Sequence, residues 1–96
     1  MSQPLDRLFS KVVYDTQRGC ALWCGWVSND GYGHFWLNGK TRMAHRAAWI
    51  LQVGEIPEGY ELDHLCRNRR CIEVTHLELV TRTENEHRKP TYRKRN

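Results

Sequence analysis

Residues that can bind a metal ion are concentrated in one short segment in the second half of the chain. Cys66, Cys71 and His76 are separated by four residues each, and His64 stands two positions before the first cysteine. Structural zinc is held by four tetrahedral ligands drawn from cysteine and histidine, often at spacings of this kind. The segment is therefore predicted to form a zinc-binding loop, which constrains how the rest of the chain can pack.

The fourth zinc ligand has three candidates. His64 would complete a purely structural Cys2His2 site, but a single residue separates it from Cys66, a spacing tighter than the usual gap of about two to four residues. Cys20 or Cys24 would instead supply a thiolate from the first half of the chain and leave His64 free. Spacing alone does not decide between these two cysteines.

The size of the chain explains why such a site matters. A domain of 96 residues buries only about 60–65% of the surface that its unfolded chain exposes. The composition, with 40% hydrophobic residues and four tryptophans, allows a modest core. Structural zinc can add on the order of 10 kcal/mol to the free energy of folding. We expect one domain, residues 1–96, that unfolds when zinc is chelated.

The N-terminus shows no sign of secretion. Residues 1–8 lack both a basic start and an apolar run, and no stretch approaches the roughly 18 apolar residues of a membrane span. We therefore expect an intracellular protein with no membrane partner. Thiols in a reducing compartment act more often as metal ligands than as disulfides, which makes a disulfide-stapled or redox-active domain the weaker alternative.

The first half of the chain changes from a helical pattern to a strand pattern. Apolar residues repeat at helical spacing and predict an N-terminal helix over residues 4–15. In the segment 20–54, the pair Asn38-Gly39 favours a two-residue hairpin, and an alanine-rich helix follows. Aromatic and branched residues predict an antiparallel β meander with strands near 22–27, 32–37 and 40–44.

The second half has the pattern of a ββα unit. Strands are predicted on either side of the cysteine-rich loop, at 60–64 and 77–80. Thr81-Arg-Thr-Glu84 matches a capping box, so a helix should begin there and end before Pro90. The predicted fold class is α+β, with a small antiparallel β meander, a zinc-stabilised ββα-metal unit over 60–89, and a basic, flexible tail over 90–96.

These segments resemble a known family. Asp63-His64-Leu-Cys66-Arg-Asn-Arg-Arg-Cys71, followed by His76-Leu77 and Thr83-Glu84-Asn85, is similar to the HNH endonucleases of the His-Me finger superfamily. More narrowly, the chain resembles small phage-type HNH proteins and His-Cys box homing endonucleases, and the likeness covers roughly residues 19–88. One departure is Glu73-Val74, where family members commonly have Asn-Pro.

The resemblance implies a division of labour among the site residues. His64 becomes the general base, and Asn85, together with Asp63, holds a catalytic Mg²⁺ or Mn²⁺. It also favours Cys20 over Cys24 as the fourth ligand, and Cys24 is then expected to pack as a small buried hydrophobe. The structural zinc set implied by the resemblance is Cys20, Cys66, Cys71 and His76.

We expect a nuclease of this kind to act on duplex DNA, in the cytoplasm of a bacterial host if it is phage-encoded. The formal net charge of +4 is compatible with a polyanionic partner. A homodimer is possible if both strands are cut.

The rival hypothesis is a non-catalytic, zinc-stabilised nucleic-acid-binding module. Candidate phosphate contacts are Arg42, Arg46, Arg67, Arg69 and Arg70.

Overall fold

The chain folds into three antiparallel β-hairpins and three short α-helices over residues 3–88, the part of the chain that the computed structural model describes. The predicted basic tail, 90–96, lies outside these residues. The elements in order are α1 (Pro4–Phe9), β1 (Val12–Asp15), β2 (Cys20–Trp23), β3 (His34–Leu37), β4 (Lys40–Met43), α2 (Ala44–Gln52), β5 (Tyr60–His64), a 3₁₀ turn (Val74–His76), β6 (Leu77–Thr81) and α3 (Arg82–Arg88). The predicted α+β class is confirmed.

The N-terminal helix is shorter than the sequence pattern predicts. It ends at Phe9, and Ser10 closes it by donating from its hydroxyl to the Arg7 carbonyl at 2.7 Å. Val12 then begins a strand that pairs with β2, with Val12 opposite Trp23. The prediction of a helix over 4–15 is therefore wrong beyond Phe9, because β-branched residues with a strand partner favour extended backbone over another helical turn.

The expected three-stranded meander is divided into two hairpins. β2 pairs with β1 instead of with β3, and an isolated bridge between Val27 and Gly33 lies in the segment that connects the two hairpins. The second hairpin, β3 with β4, turns at Asn38 and Gly39 as predicted. Both turn residues have positive φ, 53° and 80°, which is the requirement of the type I′ turn that fits the twist of a hairpin.

The hydrophobic core lies between these hairpins and helix α2. Trp23 is its largest buried side chain and packs edge-to-face on Phe35, with ring centroids 5.7 Å apart. The indole Nε1 donates to the Trp26 carbonyl at 3.0 Å. A β-carbon added at Gly33 would lie 2.1 Å from the Trp23 ring, so only glycine allows the backbone to pass there. Other members of the core are Leu8, Ala21, Leu37, Ala44, Ala47, Ala48 and Ile72.

The ββα unit of β5, β6 and α3 forms as predicted, and its loop docks on β2. His64 at the end of β5 lies opposite Leu77 at the start of β6. The loop then bridges to β2, since Ile72 donates its N–H to the Ala21 carbonyl at 2.8 Å. This docking brings residues from the start of β2 next to the cysteine-rich loop.

The departure at Glu73 does not disturb the turn that follows it. The Glu73 carboxylate accepts from the Thr75 hydroxyl at 3.0 Å and caps the 3₁₀ turn through the Thr75 N–H. A side-chain oxygen that accepts from a backbone N–H two residues later is what an Asx-type cap provides. Glu73 thus supplies the turn-forming acceptor.

Over residues 3–88, no helix has the length and apolar character needed to cross a membrane.

Candidate functional site

Four potential metal ligands converge where the loop meets β2. One ligand atom each from Cys20, Cys66, Cys71 and His76 lies within 4.8 Å of the other three. His76 Nδ1 is 3.6 Å from the Cys20 sulfur and 3.5 Å from the Cys71 sulfur. Tetrahedral zinc with Zn–S of about 2.3 Å and Zn–N of about 2.0 Å places its ligands roughly 3.5–3.8 Å apart. The cluster therefore has the dimensions and donor atoms of a zinc site and could hold this ion.

Two of the four ligands are buried and two are half-buried, and burial affects the thiols. Cys20 and Cys71 are almost fully inaccessible to solvent. Burial, followed by the neighbouring thiols of Cys71 and Cys66, raises the pKa of Cys20 to about 12, and burial also raises the pKa of Cys71. Without a cation these groups stay protonated, so a bound metal would have to displace their protons. Buried soft donors of this kind match zinc better than Mg²⁺.

Two other candidates for the zinc site lie elsewhere. Cys24 is exposed, and its sulfur is 3.7 Å from an Arg70 nitrogen. The expectation that Cys24 packs as a small buried hydrophobe is therefore wrong, because the backbone beyond β2 turns its side chain to the surface. His64 is not a member of the four-residue cluster, and its ring bonds a backbone carbonyl instead.

His64 is a buried histidine with a defined orientation. It is 6% exposed, and its Nε2 donates to the Cys71 carbonyl at 3.1 Å. Its ring packs against those of His45, with centroids 4.4 Å apart, and Tyr32, at 5.9 Å. Burial lowers the pKa of His64, against the opposing effects of the Cys71 carbonyl and Asp63. A neutral ring whose Nε2 carries the proton has Nδ1 available as a proton acceptor.

Asp63 faces the opposite side of β5, as strand alternation requires. Its carboxylate is buried and accepts from Arg88 at 2.9 Å and from Arg67 at 3.3 Å. Arg88 also bonds Glu78 and Glu84, and these acidic partners raise the pKa of its guanidinium. Asp63 is thus held by two arginines on the face of β5 that α3 covers.

Asn85 lies on α3 and is 8% exposed. Its side-chain amide donates to Glu61 at 2.7 Å, and Glu61 also forms an ion pair with Arg82 at 3.2 Å. The structure therefore pairs Asn85 with Glu61, a residue that the sequence reasoning missed. Strand alternation offered the signal, since Glu61 is two residues before Asp63 and must share its face of β5.

Asn85 and Glu61 line a cleft of about 630 Å³ between the β3–β4 hairpin and the ββα unit. His45 and Tyr32, whose rings pack on His64, line the same cleft. Burial, and then the proximity of His64, lowers the pKa of His45 to about 3. The cations that line the cleft are Lys40, Arg42, Arg46 and Arg82.

The arginines of the cysteine-rich loop have internal partners. Arg70 donates through two nitrogens to the Trp23 carbonyl, at 2.9 and 2.8 Å. Arg69 donates to the Asp30 carbonyl at 2.6 Å and lies over the Tyr32 ring. These contacts fix the loop against the first half of the chain. Arg69 and Arg70, together with Arg67 and Arg18, also line a second hollow of about 450 Å³. Arg18 was not among the basic residues predicted to contact phosphate.

Comparison with known proteins shows the family to which the chain is related. A family model described as HNH endonuclease matches residues 42–87, from β4 to α3. Protein 7.7 of Escherichia phage T7 is 39% identical over 66 residues, which cover 69% of this chain and 51% of the phage protein. The gene 5.3 protein of Enterobacteria phage T3 is 34% identical over 74 residues, covering 70% of this chain and 73% of that protein. The chain thus spans about half the length of the T7 relative. No solved structure matches significantly.

Proposed function

The chain belongs to the HNH endonuclease family, and we propose that it is a metal-dependent endonuclease or nickase that hydrolyses phosphodiester bonds in duplex DNA. The observation that carries the proposal is the orientation of His64. Its ring is buried, its Nε2 is fixed by the Cys71 carbonyl, and its neighbours His45 and Tyr32 line a basic cleft. A positioned neutral imidazole beside an anion-binding cleft is suited to general-base hydrolysis of a phosphodiester.

His64 would act as the general base. Because Nε2 donates to the Cys71 carbonyl, Nδ1 is the nitrogen that can take a proton from a water molecule. The lowered pKa keeps the ring neutral near pH 7, so the base is in its active form without a preceding proton loss. The Cys71 carbonyl then stabilises the imidazolium that forms, since its hydrogen bond is with the opposite nitrogen.

The oxygen donors for a catalytic Mg²⁺ or Mn²⁺ are on the α3 side of β5. Asn85 and Asp63 would hold the ion, and Glu61 is added to this set because its carboxylate is the group that contacts Asn85. Carbonyl and carboxylate oxygens are the ligands that Mg²⁺ prefers, so the residues present fit the ion. When bound, such an ion neutralises charge on the phosphate and assists the departing oxygen. A ligand role for Asp63 requires that Arg67 or Arg88 release its carboxylate.

The zinc would have a structural role. Cys20 comes from β2, while the other three ligands come from the loop and the 3₁₀ turn. Zinc would therefore join the first half of the chain to the ββα unit and hold the Cys71 carbonyl that orients His64. This gives a physical connection between the structural ion and the catalytic base.

Phosphate binding would use the arginines of the cleft. Arg42 and Arg46 line it together with Arg82, and the buried Arg42 Nε has no hydrogen-bond partner among residues 3–88. Arg67, Arg69 and Arg70 surround the second hollow and would contact the backbone further along the duplex. Their internal hydrogen bonds leave them a smaller share of the binding energy than Arg42 and Arg46.

The phage origin of both relatives supports action in the cytoplasm of an infected bacterium. One base and one metal site cleave one strand at a time, so a double-strand break would require two successive cuts or a homodimer.

Plasmid cleavage tests the function. Supercoiled plasmid is incubated with the purified protein in Mg²⁺, in Mn²⁺ and without added divalent metal, and Asn85→Ala is assayed in parallel.

We expect nicked circles in either metal, none without it, and none with Asn85→Ala at unchanged zinc content. Binding of the plasmid without cleavage in either metal would instead favour the non-catalytic nucleic-acid-binding module. Cleavage by Asn85→Ala at the parental rate would remove Asn85 from the metal site.

A further inference from the structure

Three aromatic rings, two on β3 and one in the segment that precedes it, form a surface that we term the aromatic face: Trp26, His34 and Trp36. Trp26 is 66% exposed and Trp36 is 60% exposed. His34 and Trp36 are two residues apart on β3 and therefore share one side of the strand. Trp26 packs on His34 with ring centroids 5.0 Å apart.

The aromatic face has no role in the hydrophobic core. On β3 the core side is supplied by Phe35 and Leu37, both buried, and these alternate with the exposed residues. His34 is held in place by a hydrogen bond between its Nε2 and the Ser28 hydroxyl at 3.0 Å. Trp26 and Trp36 thus remain exposed to water on either side of His34. A contiguous exposed apolar patch marks a binding surface more often than ordinary protein surface.

The aromatic face is continuous with the cleft. Across the hairpin, His34 lies opposite Met43 and Trp36 lies opposite Thr41. His34, Thr41 and Met43 all line the cleft that contains Asn85. Arg46 and Arg82 supply positive charge to that cleft, as do Lys40 and Arg42, which alternate with Thr41 and Met43 along β4. A nucleic-acid backbone drawn into the cleft by these cations would therefore have its neighbouring bases next to Trp36 and His34.

We propose that the aromatic face stacks unpaired DNA bases beside the cleaved phosphate, so that the preferred substrate is duplex DNA carrying a short unpaired segment. This inference rests on the proposed function for its partner, DNA. Every base has a planar face that can stack on an aromatic ring, which makes such binding tolerant of sequence. Bases within an intact duplex are stacked on each other, so only an opened or single-stranded segment exposes these faces.

Binding is measured with the full chain in buffer without added divalent metal, so that no cleavage interferes. The probes are two fluorescein-labelled duplexes of one sequence, one fully paired and one with a gap that leaves several bases unpaired. The parent should bind the gapped probe more tightly. Stacking on an aromatic side chain contributes enough that Trp36→Ala should bind the gapped probe about 5- to 150-fold more weakly, with a much smaller change for the paired probe.

Two further variants make the result specific. Trp36→Phe keeps a planar ring and should retain most of the preference for the gapped probe. Tyr14→Ala is the matched control, because Tyr14 is also 60% exposed but lies on β1, which contributes no residue to the cleft. Zinc content and circular dichroism establish that each variant is folded.

Equal binding of the two probes by the parent, an unchanged preference in Trp36→Ala, or an equal loss in Tyr14→Ala would each overturn the inference. If plasmid cleavage is normal in that case, the proposed function survives and the aromatic face serves another partner. A parent that binds neither probe would overturn the inference and the proposed function together. A parent that prefers the gapped probe but never cleaves would leave the inference standing and remove the enzymatic function.

Discussion

Cys20→Ser should remove the zinc and with it most of the stability of the protein. Cys20 is 1% exposed on β2, whereas its three partners lie in the loop and the 3₁₀ turn. Structural zinc contributes roughly 10–16 kcal/mol to the folding of small domains, and an ordinary domain has a total stability of only about 5–15 kcal/mol. Loss of one ligand of four should therefore leave a chain that is largely unfolded at 37 °C.

Cys24→Ser is the matched control, because Cys24 is only four residues away but exposed and outside the cluster. A surface substitution changes stability by roughly 0.5 kcal/mol or less, which corresponds to a melting-temperature shift of about 2–4 °C in a domain of this size. The assay combines elemental analysis of zinc per chain with thermal unfolding by circular dichroism.

The parent and Cys24→Ser should each carry one zinc, and chelation should unfold both. Stoichiometric zinc in Cys20→Ser, or loss of zinc from Cys24→Ser, would exclude Cys20 as the fourth ligand. A parent that stays folded after complete removal of zinc would show that the core of Trp23 and its neighbours is sufficient without the metal.

Three further predictions follow from individual contacts. Gly33→Ala should lower the unfolding free energy by about 1–3 kcal/mol in urea titrations, because its β-carbon would overlap the Trp23 ring; an unchanged midpoint would mean that the core is loosely packed there. His45, with its pKa lowered to about 3, should remain neutral by NMR at pH 5. In the unfolded state this histidine takes up a proton below its pKa of about 6.5, whereas in the folded state it does not. The free energy of unfolding should therefore fall by about 1.4 kcal/mol per pH unit as the pH drops below 6.5, and His45→Gln should remove this contribution. An NMR midpoint near 6.5 would contradict this. Glu61→Gln should weaken Mn²⁺ binding about 10- to 100-fold by electron paramagnetic resonance, since Glu61 contacts Asn85, and parental affinity would exclude Glu61 from the metal site.

Local sequence signals predicted the elements whose determinants are local. Asn38 and Gly39 specified a type I′ hairpin through their tolerance of positive φ. The two strands and the helix of the ββα unit were bounded by a capping box and by turn residues. At the N-terminus the same reasoning was wrong, because Val12 and Val13 fit a helical repeat and a strand equally well. The pairing of β1 with β2, a tertiary contact, decided between the two.

The site depended on contacts between distant segments, which spacing does not encode. Among the cysteines, only the resemblance to HNH endonucleases distinguished Cys20 from Cys24 before the structure placed one in the cluster and the other at the surface. The contact of Glu61 with Asn85 joins β5 to α3 and has no signature in either segment alone. Arg70, a candidate phosphate contact, also bonds the Trp23 carbonyl, a partner that becomes visible only after the loop has docked.

We propose that His64 is the catalytic base and not a zinc ligand. The single-turnover rate of plasmid nicking for His64→Ala, measured beside the zinc content of the same preparation, distinguishes the two roles. We expect a rate about 10²- to 10⁴-fold lower than that of the parent, with one zinc per chain and parental DNA affinity. Nicking within a few fold of the parent, or loss of zinc from His64→Ala, would contradict it.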